Sequence, residues 1–310
     1  MKRRSRFRKS GIGGAALLLA IAAAAAAYAD FTIRSDVRLV LLDVSVKDPN
    51  GGFVTGLSED EFHVFENGRP QKISVFDNHD VPVTVGILVD ESYSMTPKRA
   101  EVLTAALTFI HESNPHDEVF VLNFNDKVTP GLPEGVLFSD DPQQLRAALY
   151  RGTPQGRTAL NDAVVAGLQQ LDLGRQGKKT LILISDGGDN ISTHKRQEML
   201  DMVKRSVATI YTIGVFDPED PDRDPGILER LAKISGGAAY FPASLNEMVP
   251  VCRNIAKDIR TRYTVGYVPP AQNGTNPLRH VRVRVSSPDH ARLIVRTRRS
   301  YRYNESVNPG

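Results

Sequence analysis

The chain has 310 residues, 41% of them hydrophobic, with 39 Lys and Arg against 36 Asp and Glu, a formal charge of +3. That length suits about two ordinary domains, and the apolar content is ample for a packed core, so disorder is expected only at the ends. No dense Lys/Arg patch interleaves with aromatics, which argues against a nucleic-acid partner. The single cysteine, Cys252, excludes an internal disulfide, and no Cys/His cluster has zinc spacing.

The first thirty residues differ in kind from the rest. Lys2, Arg3, Arg4, Arg6, Arg8 and Lys9 precede the apolar run 11–27, and Ala27 and Ala29 stand as small residues before Asp30. A basic head, an apolar middle and an A-x-A end make a secretory signal peptide. The rival reading is a retained anchor, for which 11–27 is at the short edge. Six of the 39 basic residues lie in this segment and no acid does, so residues 30–310 carry 33 against 36, or −3. The exported protein is therefore expected in the periplasm, at the cell surface or secreted. Membrane contact is expected only if the segment stays as an anchor.

After Asp30 the grammar is that of strands. Val40, Leu42, Val44 and Val46 alternate with polar residues, the period of a half-buried strand. SEDE has a capping-box pattern, Ser58 to Glu61. Asn67-Gly68 predicts a hairpin over FHVFENGRPQKISVF. From Pro82 to Pro242, apolar strands (VTVGILV, EVFVLNF, TLILIS, ATIYTIGV) alternate with amphipathic helices, which predicts a mainly parallel sheet covered on both faces. A helix over 244–261 follows, with Cys252 as a buried thiol. Strand grammar then returns in RYTVGYVPP, HVRVRVSS and ARLIVRTRRSYRY. Neither terminal strand set suffices alone, so the two are expected to pack together as one β-sandwich with the α/β unit inserted. The expected division is a leader 1–29, β-rich 30–81, α/β 82–242, connecting helix 243–262, β-rich 263–303 and tail 304–310.

In open α/β sheets, ligands gather beyond the carboxyl ends of the strands. Asp90, Ser92 and Ser94 follow the first strand of this unit, Asp186 follows TLILIS, and Thr158 opens the helix before it. All are hard oxygen donors, which suits Mg²⁺. Two carboxylates can at most balance a dication, and neutral hydroxyls fill other positions.

D-x-S-x-S after a buried strand, a Thr at a helix start and an Asp after a later strand resemble the metal-ion-dependent adhesion site of von Willebrand factor A domains. The segment 82–242 matches that domain's length and element order. The resemblance implies a Rossmann-like, doubly wound α/β fold and Mg²⁺ (or Mn²⁺) held by Ser92, Ser94 and Thr158, with Asp90 and Asp186 direct or through water. It further implies a non-enzymatic protein whose partner presents an acidic side chain to the metal. The flanking strands are similar to those of a group of exported bacterial proteins with such a domain. One departure is Tyr93, where many relatives have a small residue; it would either contribute to partner choice or pack on a neighbouring loop.

Other readings of the same residues stand beside this one. Thr158 would serve as a helix N-cap, and Thr153 is a rival hydroxyl. Asp189 and Asn190 would shape their turn. Asp217, Asp220, Asp222 and Asp224 have D-x-D spacing, but Gly226 is one place late for a calcium loop and the twelfth position is Leu231. A metal-independent scaffold is the alternative function. A phosphohydrolase similar to the haloacid dehalogenases, with Asp90 as nucleophile, is a further one; that family wants an acid where this chain has Ser92. No G-x-S-x-G supports a serine hydrolase.

Overall fold

The computed structural model describes residues 39–216, 221–270 and 277–302. The leader reading and the acidic positions Asp217 and Asp220 lie outside them. The central sheet has six strands: β5 (Val83–Asp90), β6 (Glu118–Phe124), β7 (Val128–Pro130), β8 (Lys178–Ser185), β9 (Thr209–Gly214) and β10 (Ala239–Tyr240). Its order is β10-β9-β8-β5-β6-β7, parallel throughout except β7 against β6. Every residue of β5, β6 and β9 is buried, which is why these strands read as unbroken apolar runs rather than as alternations. The helices are α1 (Arg99–Glu112), α2 (Pro142–Tyr150), α3 (Leu160–Asp172), α4 (Arg196–Arg205), α5 (Pro225–Ser235) and α6 (Met248–Arg260). Helix α1 packs on α2 and α6, while α3, α4 and α5 pack in a row. Among the described residues no helix is long and apolar enough to cross a membrane.

The terminal strands form two further sheets. One has the order β13-β1-β11-β4, from β13 (Ile294–Arg296), β1 (Val40–Lys47), β11 (Tyr263–Tyr267) and β4 (Ile73–Asp77). The other has the order β14-β12-β2-β3, from β14 (Ser300–Arg302), β12 (Leu278–Val285), β2 (Phe62–Glu66) and β3 (Arg69–Gln71). Each mixes strands from both ends of the chain. Leu42, Val44, Val46, Phe62, Val64, Tyr263, Val265, Tyr267, Val281 and Val283 share one core, so the α/β unit is inserted into a sandwich.

Two expected strand runs divide. Asn67 and Gly68 adopt positive φ (48° and 81°) and join β2 to β3 as a hairpin. ISVF, however, crosses to the other sheet and pairs with β11. The run 291–303 likewise splits into β13 and β14, one in each sheet. At the Ser58 capping box, Glu61 accepts the Ser58 N–H at 2.8 Å, and the turn it starts is a single 3₁₀ turn, Glu59–Glu61.

The sandwich meets the α/β unit at a buried carboxylate. Asp258 of α6 is fully buried and accepts hydrogen bonds from Ser45 of β1, from the Tyr211 hydroxyl of β9 at 2.7 Å and from Arg296 of β13 at 2.8 Å. Arg262 lies 3.4 Å from the same carboxylate and donates to the Gly236 carbonyl at 2.9 Å. Burial pushes the Asp258 carboxyl up, but the two guanidiniums and two hydroxyls outweigh it and hold it below the usual range. At the other end of the sandwich, buried Glu66 takes Arg279 at 2.6 Å and the hydroxyls of Tyr267 and Tyr301, both at 2.7 Å.

Candidate metal centre

Strand β5 is flanked by β6 on one side and β8 on the other, and the chain leaves it toward β6 before returning to β8. That reversal opens a crevice beyond the carboxyl ends of β5 and β8. Asp90 ends β5, and Asp186 follows Ser185, the last residue of β8.

Hydrogen bonds draw these positions together. Asp90 Oδ1 accepts the Ser92 N–H at 2.9 Å, and its Oδ2 accepts the Ser185 hydroxyl at 2.6 Å. Ser185 Oγ in turn accepts the Gly187 N–H at 3.0 Å. Asp186 Oδ2 accepts the Ser94 hydroxyl at 2.6 Å, and the Ser92 and Ser94 hydroxyls are 3.2 Å apart. Asp90, Ser92, Asp186 and Thr158 are buried; Ser94 is half-buried.

Thr158 joins through its backbone. Its N–H donates to Asn190 Oδ1 and its carbonyl accepts the Asn190 N–H, both at 3.0 Å. It is not the N-cap of α3: that residue is Ala159. The first amides of α3 are taken by the Asp186 loop instead, Asn161 N–H by Asp189 at 3.3 Å and Asp162 N–H by the Ser192 hydroxyl at 3.1 Å. Asp189 and Asn190 thus dock their loop at the start of α3, and Thr153 is exposed.

The 151–158 loop is stitched to the DESYS turn. Gln155 N–H donates to Glu91 O at 2.9 Å, and Tyr93 N–H to Gly156 O at 3.1 Å. Buried Glu91 takes Arg99 at 3.0 Å, and Arg99 reaches on to the Gly152 carbonyl at 2.6 Å. Tyr93 itself is 75% exposed.

Gly187 holds the other side. Its φ is +85°, and a Cβ there would come within 2.3 Å of the Asp224 carbonyl. Gly187→Ala is therefore expected to destabilise the protein by more than about 1 kcal/mol. Gly177→Ala, where nothing lies within 4 Å of the added carbon, should leave the thermal midpoint nearly unchanged.

Two buried carboxylates lie close enough to act on each other, while a third, Asp117, is raised to about 6 by burial and accepts the Val83 and Asn114 N–H groups. Burial, then the charge of Asp186, pushes the Asp90 carboxyl up to about 7, against the pull of Ser185 and Ser92. Glu66, Glu91, Glu118 and Asp258 each pair with an arginine. Asp90 and Asp186 pair with none among the described residues; their partners are hydroxyls and amides. The donor set is all oxygen with two carboxylates, which fits a hard dication. The acidic loop beyond has other work: Asp224 caps α5 by accepting the Ile227 N–H at 3.0 Å, and Asn190 donates to Asp222 at 3.4 Å. No group of three or more His, Cys, Asp and Glu gathers among the described residues, so a cation here depends on hydroxyls.

The model of the von Willebrand factor type A domain matches residues 84–252. The chain belongs to that family. The VWA match begins at the second residue of β5 and ends within α6. A solved von Willebrand factor type A protein from Catenulispora acidiphila is 15% identical, with a TM-score of 0.52 over 88% of this chain and 76% of that one. The likeness in fold thus extends past the VWA match into the flanking strands. Proximal thread matrix protein 1 from the mussel byssus is 14% identical, with a TM-score of 0.51 over 63% of this chain and 51% of that one. The vWF domain of the type V pili tip protein Mfa5 from Porphyromonas gingivalis is 14% identical, with a TM-score of 0.49 over 58% and 95%. No curated protein sequence matches the chain.

Proposed function

We propose that this VWA protein is an exported, non-enzymatic binding protein whose grip on a protein partner depends on a divalent cation, Mg²⁺ or Mn²⁺. The observation that carries the reading is the contrast among buried carboxylates: Glu66, Glu91, Glu118 and Asp258 have an arginine and Asp117 accepts the backbone N–H groups of Val83 and Asn114, whereas Asp90 and Asp186 lie together among hydroxyls. Ser92, Ser94 and Thr158 would supply neutral oxygens, with Asp90 and Asp186 binding directly or through water. Such a shell leaves the cation electrophilic, which favours an acidic side chain from the partner as a further ligand. The leader-like segment 1–29 supports export.

Calorimetry with Mg²⁺ and Mn²⁺ on the full-length protein and on Asp186→Ala tests this. Binding at millimolar metal or below is expected for the wild type, with at least a tenfold loss in the variant. Wild-type protein that takes up neither metal at millimolar concentration, alone or with an acidic peptide present, would overturn the reading. The alternative, a scaffold that needs no metal, is favoured by the hydrogen bond from Ser94 to Asp186, which satisfies both groups without a cation. Under it, neither metal moves the thermal midpoint of the wild type.

A further inference from the structure

The outer face of the β14-β12-β2-β3 sheet carries two arginines in line with a histidine. His280, Arg282 and Arg284 alternate along β12 with buried Arg279, Val281 and Val283, and all three are exposed. Alternate residues on one strand face lie about 7 Å apart. Arg282 stands opposite Phe65 and Arg284 opposite His63, with Pro70 across from Phe65 on β3. The guanidinium carbons of Arg282 and Arg284 each lie 5.5 Å from the centroid of the same Phe65 ring. Neither arginine forms an ion pair with a carboxylate among the described residues, unlike Arg99, Arg175, Arg262, Arg279 and Arg296. The acid on β2 itself, Glu66, is buried on the opposite face with Arg279, and Glu61, just before β2, accepts the Ser58 N–H at 2.8 Å.

These features cost the protein something and stabilise its fold little. Two like charges two residues apart on one face repel, and a carboxylate between them would relieve it. Stacking on Phe65 instead orders both forks without neutralising them. We infer that this face is a binding surface for an acidic polysaccharide, whose anionic groups are taken by Arg282 and Arg284 with His280 beside them as a hydrogen-bonding neighbour. Two guanidiniums held side by side over one ring, without a carboxylate partner among the described residues, suit a polymer that repeats its negative charge. Single-stranded nucleic acid fits less well, because Phe65 is already covered by guanidinium and offers no free ring for a base.

The test is binding of the full-length protein to heparin, with polygalacturonate as a carboxylate-only polymer and a DNA oligonucleotide as a third arm, at low and moderate salt. Arg282→Ser/Arg284→Ser should weaken heparin binding at least tenfold and lower the salt needed for elution. Arg230→Ser/Lys233→Ser, exposed cations on α5, should leave both unchanged. Circular dichroism and thermal melts verify that the variants fold. Heparin binding that survives the first pair, or that falls equally with the second, overturns the inference. So does DNA binding tighter than either polysaccharide.

Discussion

Asp258→Ala is expected to lower the unfolding free energy by about 3–5 kcal/mol, the usual cost of removing one partner of a buried ion pair. Ser45, Tyr211, Arg262 and Arg296 all lose their acceptor, and Arg262 is itself only 3% exposed. Because the folded carboxyl lies below its ordinary value, the stabilisation it confers is present at neutral pH and fades only as pH falls through and below the ordinary carboxylate range. Urea titrations at pH 7 and pH 3 check both parts. The gap between wild type and variant should be largest at pH 7. Since strands from both ends of the chain meet α6 at this carboxylate, its loss is also expected to uncouple the sandwich from the VWA unit, seen as two melting transitions instead of one. A variant with an unchanged midpoint and one transition would refute the junction's role.

Asp90→Asn is expected to act in opposite directions on stability and on metal uptake. The folded pKa near 7 is above the ordinary value of 3.8, so the native state holds a proton that the unfolded state has released across that window. Stability therefore falls as pH rises from about 4 to about 7. Asparagine has no charge to bury, so metal-free Asp90→Asn should be more stable than metal-free wild type at pH 8 and similar at pH 4. Mg²⁺ should reverse the order. It favours the ionised carboxylate, so wild type should gain more from saturating Mg²⁺ at pH 8 than at pH 5.5, while the variant gains nothing at either. At a hundredfold excess over its dissociation constant, a ligand adds about 2.7 kcal/mol. Thermal melts at three pH values, with Mg²⁺ or with chelator, separate these effects. An Mg²⁺-dependent gain that the variant retains would show that Asp90 is not part of a cation site.

Much of this was legible in the sequence because it is local. VTVGILV, EVFVLNF and TLILIS are buried on both faces, so their apolar runs announce a parallel sheet, and the sheet's topology then says which ends meet. Asp90, Ser92 and Ser94 were findable because they follow a strand directly. Ser185 was harder: it reads as the polar end of TLILIS, and only the pairing of β5 with β8 sets its hydroxyl on Asp90. The N-cap of α3 could not be read from Thr158, because the amides it would cap are satisfied from residues 28 and 30 positions away. ISVF and the strands after Ala291 misled for a related reason. A run that alternates correctly says nothing about which sheet receives it, and both runs divide between sheets. The Asp258 cluster spans 213 residues between Ser45 and Asp258, and nothing near either residue marks it.

The chain enters and leaves the VWA unit at one end. Strand β4, just before the entry, and β11, just after the exit, are neighbours in one sheet, with Asp77 opposite Thr264. Arg260, the last residue of α6, grips Asp80 between them at 2.8 Å. The proposed ligand edge lies at the other end of the parallel strands. A pull on a partner bound there as proposed would be shared by two covalent tethers side by side. The insertion would thus tie the ligand edge to the sandwich at two points, not one.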